Sequence, residues 1–216
     1  MPFDFARDLR YNPLMQNILI FGDSITWGAV DTKGGWAQRV KNESGENIVY
    51  ILGISGDDSN GLLKRLEQEA LIRLDEENQT ALIIAIGIND SQIELQNNTN
   101  KIPVEDFRKN LNEIIQRGKK IANQIIVLGI SPVNESKVKP MPWKITHGYT
   151  NEQIKKYNKI IYETAKENDV DFIDVCNKFL KEDYKTLLFD GLHPNDKGHE
   201  LIYFLVKDNL RRKGVL

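Results

Sequence analysis

The sequence predicts an α/β fold in which a parallel five-stranded sheet carries helices on both faces. Two observations predict it. Five short runs rich in Ile, Val and Leu lack a two-residue alternation, as expected for strands that are buried on both faces. Helical stretches, most of them with apolar residues at a spacing near 3.6, separate these runs, and parallel strands require such crossover connections.

The predicted strands are short, and the fifth is the weakest of them. They lie at Ile18–Phe21, Ile48–Leu52, Ala81–Ile86, Ile125–Ile130 and Phe172–Val175. The predicted helices span Trp36–Asn42, Leu62–Leu74, Val104–Ala122, Asn151–Asn168 and Asp196–Arg212. Ligands of such sheets bind beyond the carboxyl ends of the strands, where the strand order switches. The residues that follow each strand are therefore the first candidates for chemistry.

Length, charge and cysteine content limit the class of protein. The 216 residues predict one domain, with a core at about 17–212 and an N-terminal extension at 1–16. With 29 Lys and Arg against 31 Asp and Glu, no basic surface favours nucleic acid as a ligand. No apolar run reaches the ~20 residues of a membrane span, and the charged N-terminus does not resemble a signal peptide. With Cys176 as the single cysteine, we expect a reducing cytoplasm and no metal or other cofactor.

Polar and glycine-containing segments follow the first three predicted strands. After the first, Gly22 permits a sharp turn that would present Ser24 at the mouth of the sheet, although a serine here also commonly caps a helix. The segment 53–59 after the second is a turn with free N–H groups, or simply a βα loop. After the third, Asn89 either caps the next helix or directs its side-chain NH₂ into the site.

Two Asp-x-x-His pairs occur in one segment near the C-terminus. Asp190 can reach back to Nδ1 of His193, which would fix the tautomer in which Nε2 accepts a proton. Pro194 disfavours the α region at His193, so this pair is expected in an extended or turn segment. Asp196 and His199 lie where the last helix is predicted, which favours a cap or first-turn acid and a packing or surface histidine. His193 is the preferred base.

Four motifs in this order resemble those of the SGNH hydrolases, also called the GDSL esterase/lipase family. They are Gly22-Asp23-Ser24-Ile25, Gly56, Gly87-Ile88-Asn89-Asp90 and Asp190-Gly191-Leu192-His193-Pro194. The resemblance runs from Asn17 to the final helix. Its first motif departs from the family at Ile25, where the family has leucine. The resemblance implies a flavodoxin-like three-layer α/β/α fold.

For the site, the resemblance implies a serine esterase or acylhydrolase that forms an acyl-enzyme intermediate. Ser24 would be the nucleophile, His193 its base and Asp190 the acid that orients the imidazole. The oxyanion hole would consist of the Ser24 N–H, the Gly56 N–H and the Asn89 side chain. The residue types suit this chemistry, because a serine hydroxyl needs a base near neutral pH and the developing oxyanion needs preorganised donors.

The substrate expected is a small-molecule or lipid-like acyl ester, and three alternatives remain. A thioesterase or a carbohydrate O-acetylesterase would use the same machinery. A non-catalytic flavodoxin-like binding module is disfavoured, because no nucleotide-binding glycine motif follows the first strand. Trp27, Met141 and Trp143 are candidates to line an acyl pocket, although ordinary packing would also explain them. The irregular segment Pro132–Tyr149 is predicted to be a functional loop, and the oligomeric state is left open.

Overall fold

The structure, a computed structural model, describes residues 15–75 and 78–216. The predicted N-terminal extension lies outside the described residues except for its last two positions. In chain order the strands are β1 (Gln16–Gly22), β2 (Ile48–Gly53), β3 (Gln79–Ala85), β4 (Ile93–Glu94), β5 (Thr99–Asn100), β6 (Gln124–Leu128), β7 (His147–Gly148) and β8 (Asp171–Ile173). The helices are α1 (Ser24–Trp27), α2 (Gly35–Asn42), α3 (Ser59–Leu71), α4 (Val104–Gly118), α5 (Glu135–Val138), α6 (Asn151–Glu167), α7 (Val175–Leu180) and α8 (Asp196–Arg212).

The main sheet has five parallel strands in the order β2-β1-β3-β6-β8. The chain passes from β1 to β2 on one side and then returns to β3 on the other side of β1. The order therefore switches between β1 and β3, and a crevice is expected beyond their carboxyl ends. The α/β fold with a five-stranded parallel sheet is confirmed.

Two apolar layers cover the two faces of this sheet. Successive strand residues point to opposite faces, so Leu19 and Phe21 of β1 join one cluster while Ile18 and Ile20 join the other. The first cluster also contains buried residues of α3, α4 and α6, and the second contains those of α2, α7 and α8. The molecule thus has three layers, α/β/α, and both faces of the sheet are dry. Among residues 15–75 and 78–216, no helix combines the length and apolar character needed to cross a membrane.

Several predicted boundaries move, because side-chain caps decide where helices begin. The helix predicted from Leu62 begins at Ser59, since the Asp58 carboxylate accepts a hydrogen bond from the Gly61 N–H at 3.0 Å. The strand predicted over Phe172–Val175 is wrong at its end. Asp174 caps a helix there by accepting from the Asn177 N–H at 3.0 Å, and this helix, α7, was not predicted. The bounds of α8 agree with the prediction.

A small antiparallel sheet, also not predicted, joins β5, β4 and β7 in that order. Its strands have two residues each, too few for any periodicity to be visible in the sequence. Strand β7 lies near the end of the irregular segment 132–149 and pairs with β4, with Gly148 opposite Ile93. This pairing brings the end of that segment beside the residues that follow β3.

Candidate active site

Ser24 is the first residue of α1, directly beyond the carboxyl end of β1. The cap of this helix is Asp23, whose carboxylate accepts from the Ile25 N–H at 2.9 Å, so the Ser24 hydroxyl is not used as a cap. The turn requires glycine at position 22, because a Cβ there would lie 2.1 Å from Oγ1 of Thr26 and 2.6 Å from the carbonyl oxygen of Ala85. Ser24 is therefore held at the edge of the sheet by backbone geometry.

The Ser24 hydroxyl contacts the imidazole of His193, although the two residues are 169 positions apart. Ser24 Oγ lies 3.0 Å from His193 Nε2, and His193 Nδ1 lies 2.7 Å from Oδ2 of Asp190. The other Asp190 oxygen accepts from the backbone N–H groups of Leu192 and His193, at 2.9 and 2.8 Å. The two backbone N–H groups thus orient the Asp190 carboxylate, which contacts Nδ1 of the imidazole. The other ring nitrogen, Nε2, faces the Ser24 hydroxyl.

The electrostatics of Asp190 favour its ionised form. Partial burial alone would raise its pKa, but the imidazole of His193 and the two backbone N–H groups outweigh that effect and lower the pKa to about 2. Gly191 has a φ of +96°, a conformation that favours glycine, and its carbonyl accepts from the Asn134 N–H at 2.8 Å. A carboxylate that stays charged near neutral pH therefore faces the imidazole from a constrained turn.

Gly56 and Asn89 follow β2 and β3 and lie close to each other. The turn 54–57 is closed by a bond from the Asp57 N–H to the Ile54 carbonyl at 3.1 Å, and Gly56 within it has a φ of +77°. Asn89 Nδ2 donates to the carbonyl oxygen of Asp57 at 2.8 Å. This bond ties the Asn89 amide to the residue after Gly56, so the loops that follow β2 and β3 are joined beyond the carboxyl ends of these strands.

Arg65 and Asp23 also support this end of the sheet, a role that was predicted for neither residue. The guanidinium of Arg65 donates to the carbonyl oxygens of Gly22, the last residue of β1, and of Leu52, the last but one of β2, at 3.2 and 2.9 Å. It also donates to the carboxylate of Asp57 at 2.9 Å. The available sequence signal was a basic residue three positions after Leu62, next to the apolar stripe of α3.

Burial raises the pKa of Asp23 to about 7, against the opposing effect of the Ile25 N–H.

The three candidate pocket residues lie in different surroundings. Trp143 is half exposed, and its ring centroid is 6.5 Å from that of the His193 imidazole. Met141 is buried in the core and its sulfur lies 3.4 Å from Nε2 of Gln92. Trp27 is 63% exposed, and within residues 15–75 and 78–216 its side chain makes no hydrogen bond or ring contact. Of the three, Trp143 lies beside the imidazole.

The second Asp-x-x-His pair does not form a contact between its members. Asp196 is in the first turn of α8, whose cap is Asn195, and its carboxylate accepts from the Thr32 N–H at 3.0 Å. His199 is fully buried, with Nδ1 accepting from the Trp36 N–H at 3.2 Å. Burial lowers the pKa of His199 to about 4, so its ring is neutral near pH 7. The expectation of a first-turn acid and a packing histidine is confirmed.

In series, a hydroxyl, an imidazole and a carboxylate are arranged for proton transfer away from the hydroxyl. Asn89 and the turn at Gly56 follow β3 and β2 at the same end of the sheet as Ser24. The described part of the chain has no cluster of three His, Cys, Asp or Glu side chains suited to hold a metal ion. Fold and site together define the class of the serine hydrolases.

Comparison with known proteins identifies the family. A profile of the GDSL-like lipase/acylhydrolase family matches residues 20–201. The chain therefore belongs to this family and is a hydrolase acting on ester bonds. The human isoamyl acetate-hydrolyzing esterase 1 homolog is 25% identical over 206 residues, covering 88% of this chain and 79% of that protein. The rat protein of the same name is 26% identical over 206 residues.

Solved structures agree with this fold. The lipase/acylhydrolase from Enterococcus faecalis has a TM-score of 0.72 at 24% identity, covering 92% of this chain and 97% of that chain. A variant of Axe2, an acetyl xylan esterase from Geobacillus stearothermophilus, has a TM-score of 0.67 at 20% identity, covering 94% and 96%. At these identities the likeness shows the shared architecture.

Proposed function

We propose that this enzyme hydrolyses short-chain carboxylic esters, acetates above all, with Ser24 as nucleophile, His193 as base and Asp190 as the orienting acid. The observation that carries the proposal is the 3.0 Å approach of Ser24 Oγ to His193 Nε2, continued by the 2.7 Å contact of Nδ1 with Asp190. This is within hydrogen-bond reach for transfer of the hydroxyl proton.

The reaction takes two steps. Ser24 Oγ attacks the ester carbonyl while its proton moves to Nε2 of His193, and Asp190 stabilises the resulting imidazolium. The negative charge on the carbonyl oxygen is held by the N–H groups of Ser24 and Gly56 and by the Asn89 amide. The imidazolium then protonates the departing alkoxide, which leaves the acyl group on Ser24. Water, deprotonated by His193, attacks this acyl-enzyme. The bond between the acyl carbon and Ser24 Oγ breaks, the imidazolium returns its proton to Oγ, and the acid is released.

Two arguments support the substrate class. The mammalian relatives are named for hydrolysis of an acetate ester, which favours an acetyl group on the acyl side. The imidazole delivers a proton to the departing oxygen, so the half-exposed Trp143 ring beside it is placed to contact the alcohol part of the substrate. Trp27 and Met141 have no comparable contact with the imidazole and are the weaker pocket candidates.

A carbohydrate O-acetylesterase is the second candidate. The observation that favours it is the same indole, because an exposed aromatic face beside the leaving oxygen can pack against a sugar ring as well as against an apolar alcohol. A thioesterase would need the same groups and has no further support. A non-catalytic binding module would not require the hydroxyl, imidazole and carboxylate to contact each other in series.

The proposal also includes the cellular compartment and the kind of ligand. The single thiol, Cys176, is buried, and burial raises its pKa to about 11, which suits a protein kept in a reducing cytoplasm. The near-neutral charge balance disfavours nucleic acid as a main ligand. The substrate proposed is a small-molecule ester of a short acyl group.

Ser24→Ala tests the proposal. The substrate panel is p-nitrophenyl esters from C2 to C12, isoamyl acetate, an acetylated xylooligosaccharide and an acyl thioester. We expect the C2 ester to be the best of the p-nitrophenyl series, and Ser24→Ala to lower kcat by at least ~10³-fold on every substrate.

Ser44→Ala is the matched control. Ser44 is as buried as Ser24, 6% exposed in both cases, and precedes β2 at the opposite edge of the sheet. Its variant should retain the wild-type kcat. Retained turnover in Ser24→Ala would contradict the proposal, and a maximum at the C10 or C12 ester would contradict the short-chain substrate class.

A further inference from the structure

We propose that Tyr149 is a positioning residue that holds the side-chain amide of Asn89 in its donating orientation. This inference rests on the proposed role of Asn89 in the oxyanion hole. It also assigns a task to the end of the irregular segment 132–149, in which Tyr149 is the last residue.

The Asn89 side chain needs such control because its two ends have nearly the same shape and opposite polarity. One end is a carbonyl oxygen, which accepts, and the other is an NH₂ group, which donates two hydrogen bonds. Rotation by a half turn would place the oxygen where the NH₂ group is needed. The oxygen would then repel the negative charge that develops on the substrate.

Two hydrogen bonds select one orientation of this amide. The Tyr149 hydroxyl donates to Asn89 Oδ1 at 3.1 Å, and Asn89 Nδ2 donates to the Asp57 carbonyl oxygen at 2.8 Å. Within the described ranges, 15–75 and 78–216, the second N–H of Asn89 makes no hydrogen bond to the protein. That N–H is therefore available to the carbonyl oxygen of a substrate.

The direction of the Tyr149 hydroxyl is itself determined by a neighbour. Gln92 Nε2 donates to the Tyr149 oxygen at 3.0 Å, so the phenol proton is left to point to Asn89. The three side chains form a chain of donors that runs from Gln92 through Tyr149 to Asn89, and such chains reinforce each bond in a low-dielectric interior. All three are buried. Burial also raises the pKa of Tyr149, which keeps the phenol protonated and able to donate.

The small antiparallel sheet explains how Tyr149 comes to this place. Strand β4 begins immediately after Gln92 and strand β7 ends immediately before Tyr149, with Ile93 paired to Gly148. The Tyr149 N–H donates to the carbonyl oxygen of Val138 at 3.1 Å, which anchors the segment from its other side. The residues flanking this pairing thus bring Gln92 and Tyr149 together next to Asn89.

Tyr149→Phe tests the inference because it removes only the hydroxyl. We expect kcat on p-nitrophenyl acetate to fall about tenfold with KM within about twofold, a smaller loss than the ~10²–10³-fold typical of removing an oxyanion donor itself. Tyr157→Phe is the matched control. Tyr157 is equally buried and donates its hydroxyl to the Ile102 carbonyl oxygen rather than to Asn89. It should keep kcat within about twofold of wild type although both variants lose a buried hydrogen bond.

A double-variant comparison separates positioning from a general structural effect. In the Asn89→Ala background, Tyr149→Phe is expected to change kcat by less than about twofold, because the group it orients is absent. A full tenfold loss in that background would overturn the inference, and so would wild-type kcat for Tyr149→Phe alone. If Asn89→Ala itself keeps wild-type turnover, the proposed oxyanion role of Asn89 fails instead.

Gln92→Met provides a second variant should Tyr149→Phe fold poorly. It removes the donor to the Tyr149 oxygen with little change in side-chain volume, so the phenol proton loses its imposed direction. We expect a kcat loss of about threefold that also disappears in the Asn89→Ala background. A Gln92→Met enzyme with unaltered kcat would contradict the proposed donor chain.

Discussion

Two Asp-x-x-His pairs, six residues apart in the chain, make different kinds of contact. In the first, the carboxylate of Asp190 lies 2.7 Å from the imidazole of His193. In the second, Asp196 bonds to Thr32 while His199 bonds to the backbone of Trp36. The same spacing and the same residue types therefore give one acid–base pair and two unrelated structural contacts.

Backbone conformation makes the difference. The first pair lies in an irregular turn where Gly191 has a φ of +96° and Pro194 follows the histidine, so the aspartate can fold back onto the imidazole. The second pair lies in the first turn of α8, where Asp196 is directed to the loop before α2 and His199 to the start of α2. In this chain, the Asp-x-x-His pair whose members contact each other is the one that lies outside a helix.

The two histidines should differ most in activity, which gives the largest expected effect. His193→Ala is expected to lower kcat on p-nitrophenyl acetate by about 10⁴–10⁶-fold, because it removes the base of the proposed mechanism. His199→Ala should leave kcat within about threefold in whatever fraction of the enzyme is folded. The measurement is steady-state turnover at 20 °C, with the folded fraction determined by circular dichroism. The reverse order of effects would show that the choice between the two pairs is wrong.

The two aspartates should differ next. Asp190→Asn is expected to lower kcat by about 10²–10⁴-fold with little change in KM, since an amide cannot stabilise the imidazolium and can orient the wrong tautomer. Asp196→Asn serves as the control, because its oxygen can still accept from the Thr32 N–H, and it should retain nearly full activity. Equal losses in the two variants would remove the distinction drawn between these carboxylates.

The smallest expected effect concerns the second pair, in which His199 should make the free energy of unfolding depend on pH. Burial lowers the pKa of His199 to about 4 from 6.5, so the unfolded chain takes up a proton first as the pH falls. His199 therefore contributes stability that is present above pH 6.5 and is lost between about pH 6.5 and 4. Urea unfolding at pH 7, 6, 5 and 4 measures this loss.

His199→Gln is the control for that measurement. Its amide oxygen can accept from the Trp36 N–H but does not titrate, so its unfolding free energy should fall less than that of wild type from pH 7 to pH 4. Asp23, with a pKa raised to about 7, contributes with the opposite sign in this range. The difference between the two proteins isolates His199, because the contribution of Asp23 is common to both. If the unfolding free energies of wild type and His199→Gln fell equally from pH 7 to pH 4, His199 would not be buried in its neutral form.

Much of the architecture could be predicted because it follows from local patterns. All five strands of the main sheet were found, since strands buried on both faces are continuous apolar runs. The end of the last strand was missed because Val175 continues the apolar run while the Asp174 cap turns it into α7. The small sheet was missed because two-residue strands have no readable pattern.

The candidate site also has residues that could be predicted from the sequence and residues that could not. Ser24 and Asn89 could be selected because each has a residue type suited to the chemistry and follows a glycine at the end of a predicted strand. Asp190 and His193 could be selected because an aspartate lies three residues before a histidine that precedes a proline. Tyr149 and Gln92 could not, because a tyrosine and a glutamine are ordinary residues until a third side chain is seen beside them. Trp143 was selected together with Met141, but only the indole lies at the imidazole while the thioether is in the core.

By itself, the sequence determined the five strands of the main sheet and the long helices between them, and it selected the side chains proposed as nucleophile, base, acid and donor, because periodicity and residue types act over a few positions. The tertiary structure alone decided that Ser24 contacts His193 across 169 residues and that the oxygen of the Asn89 amide accepts from Tyr149. Such contacts depend on angles and distances between elements that are remote in the chain, and no local pattern encodes them.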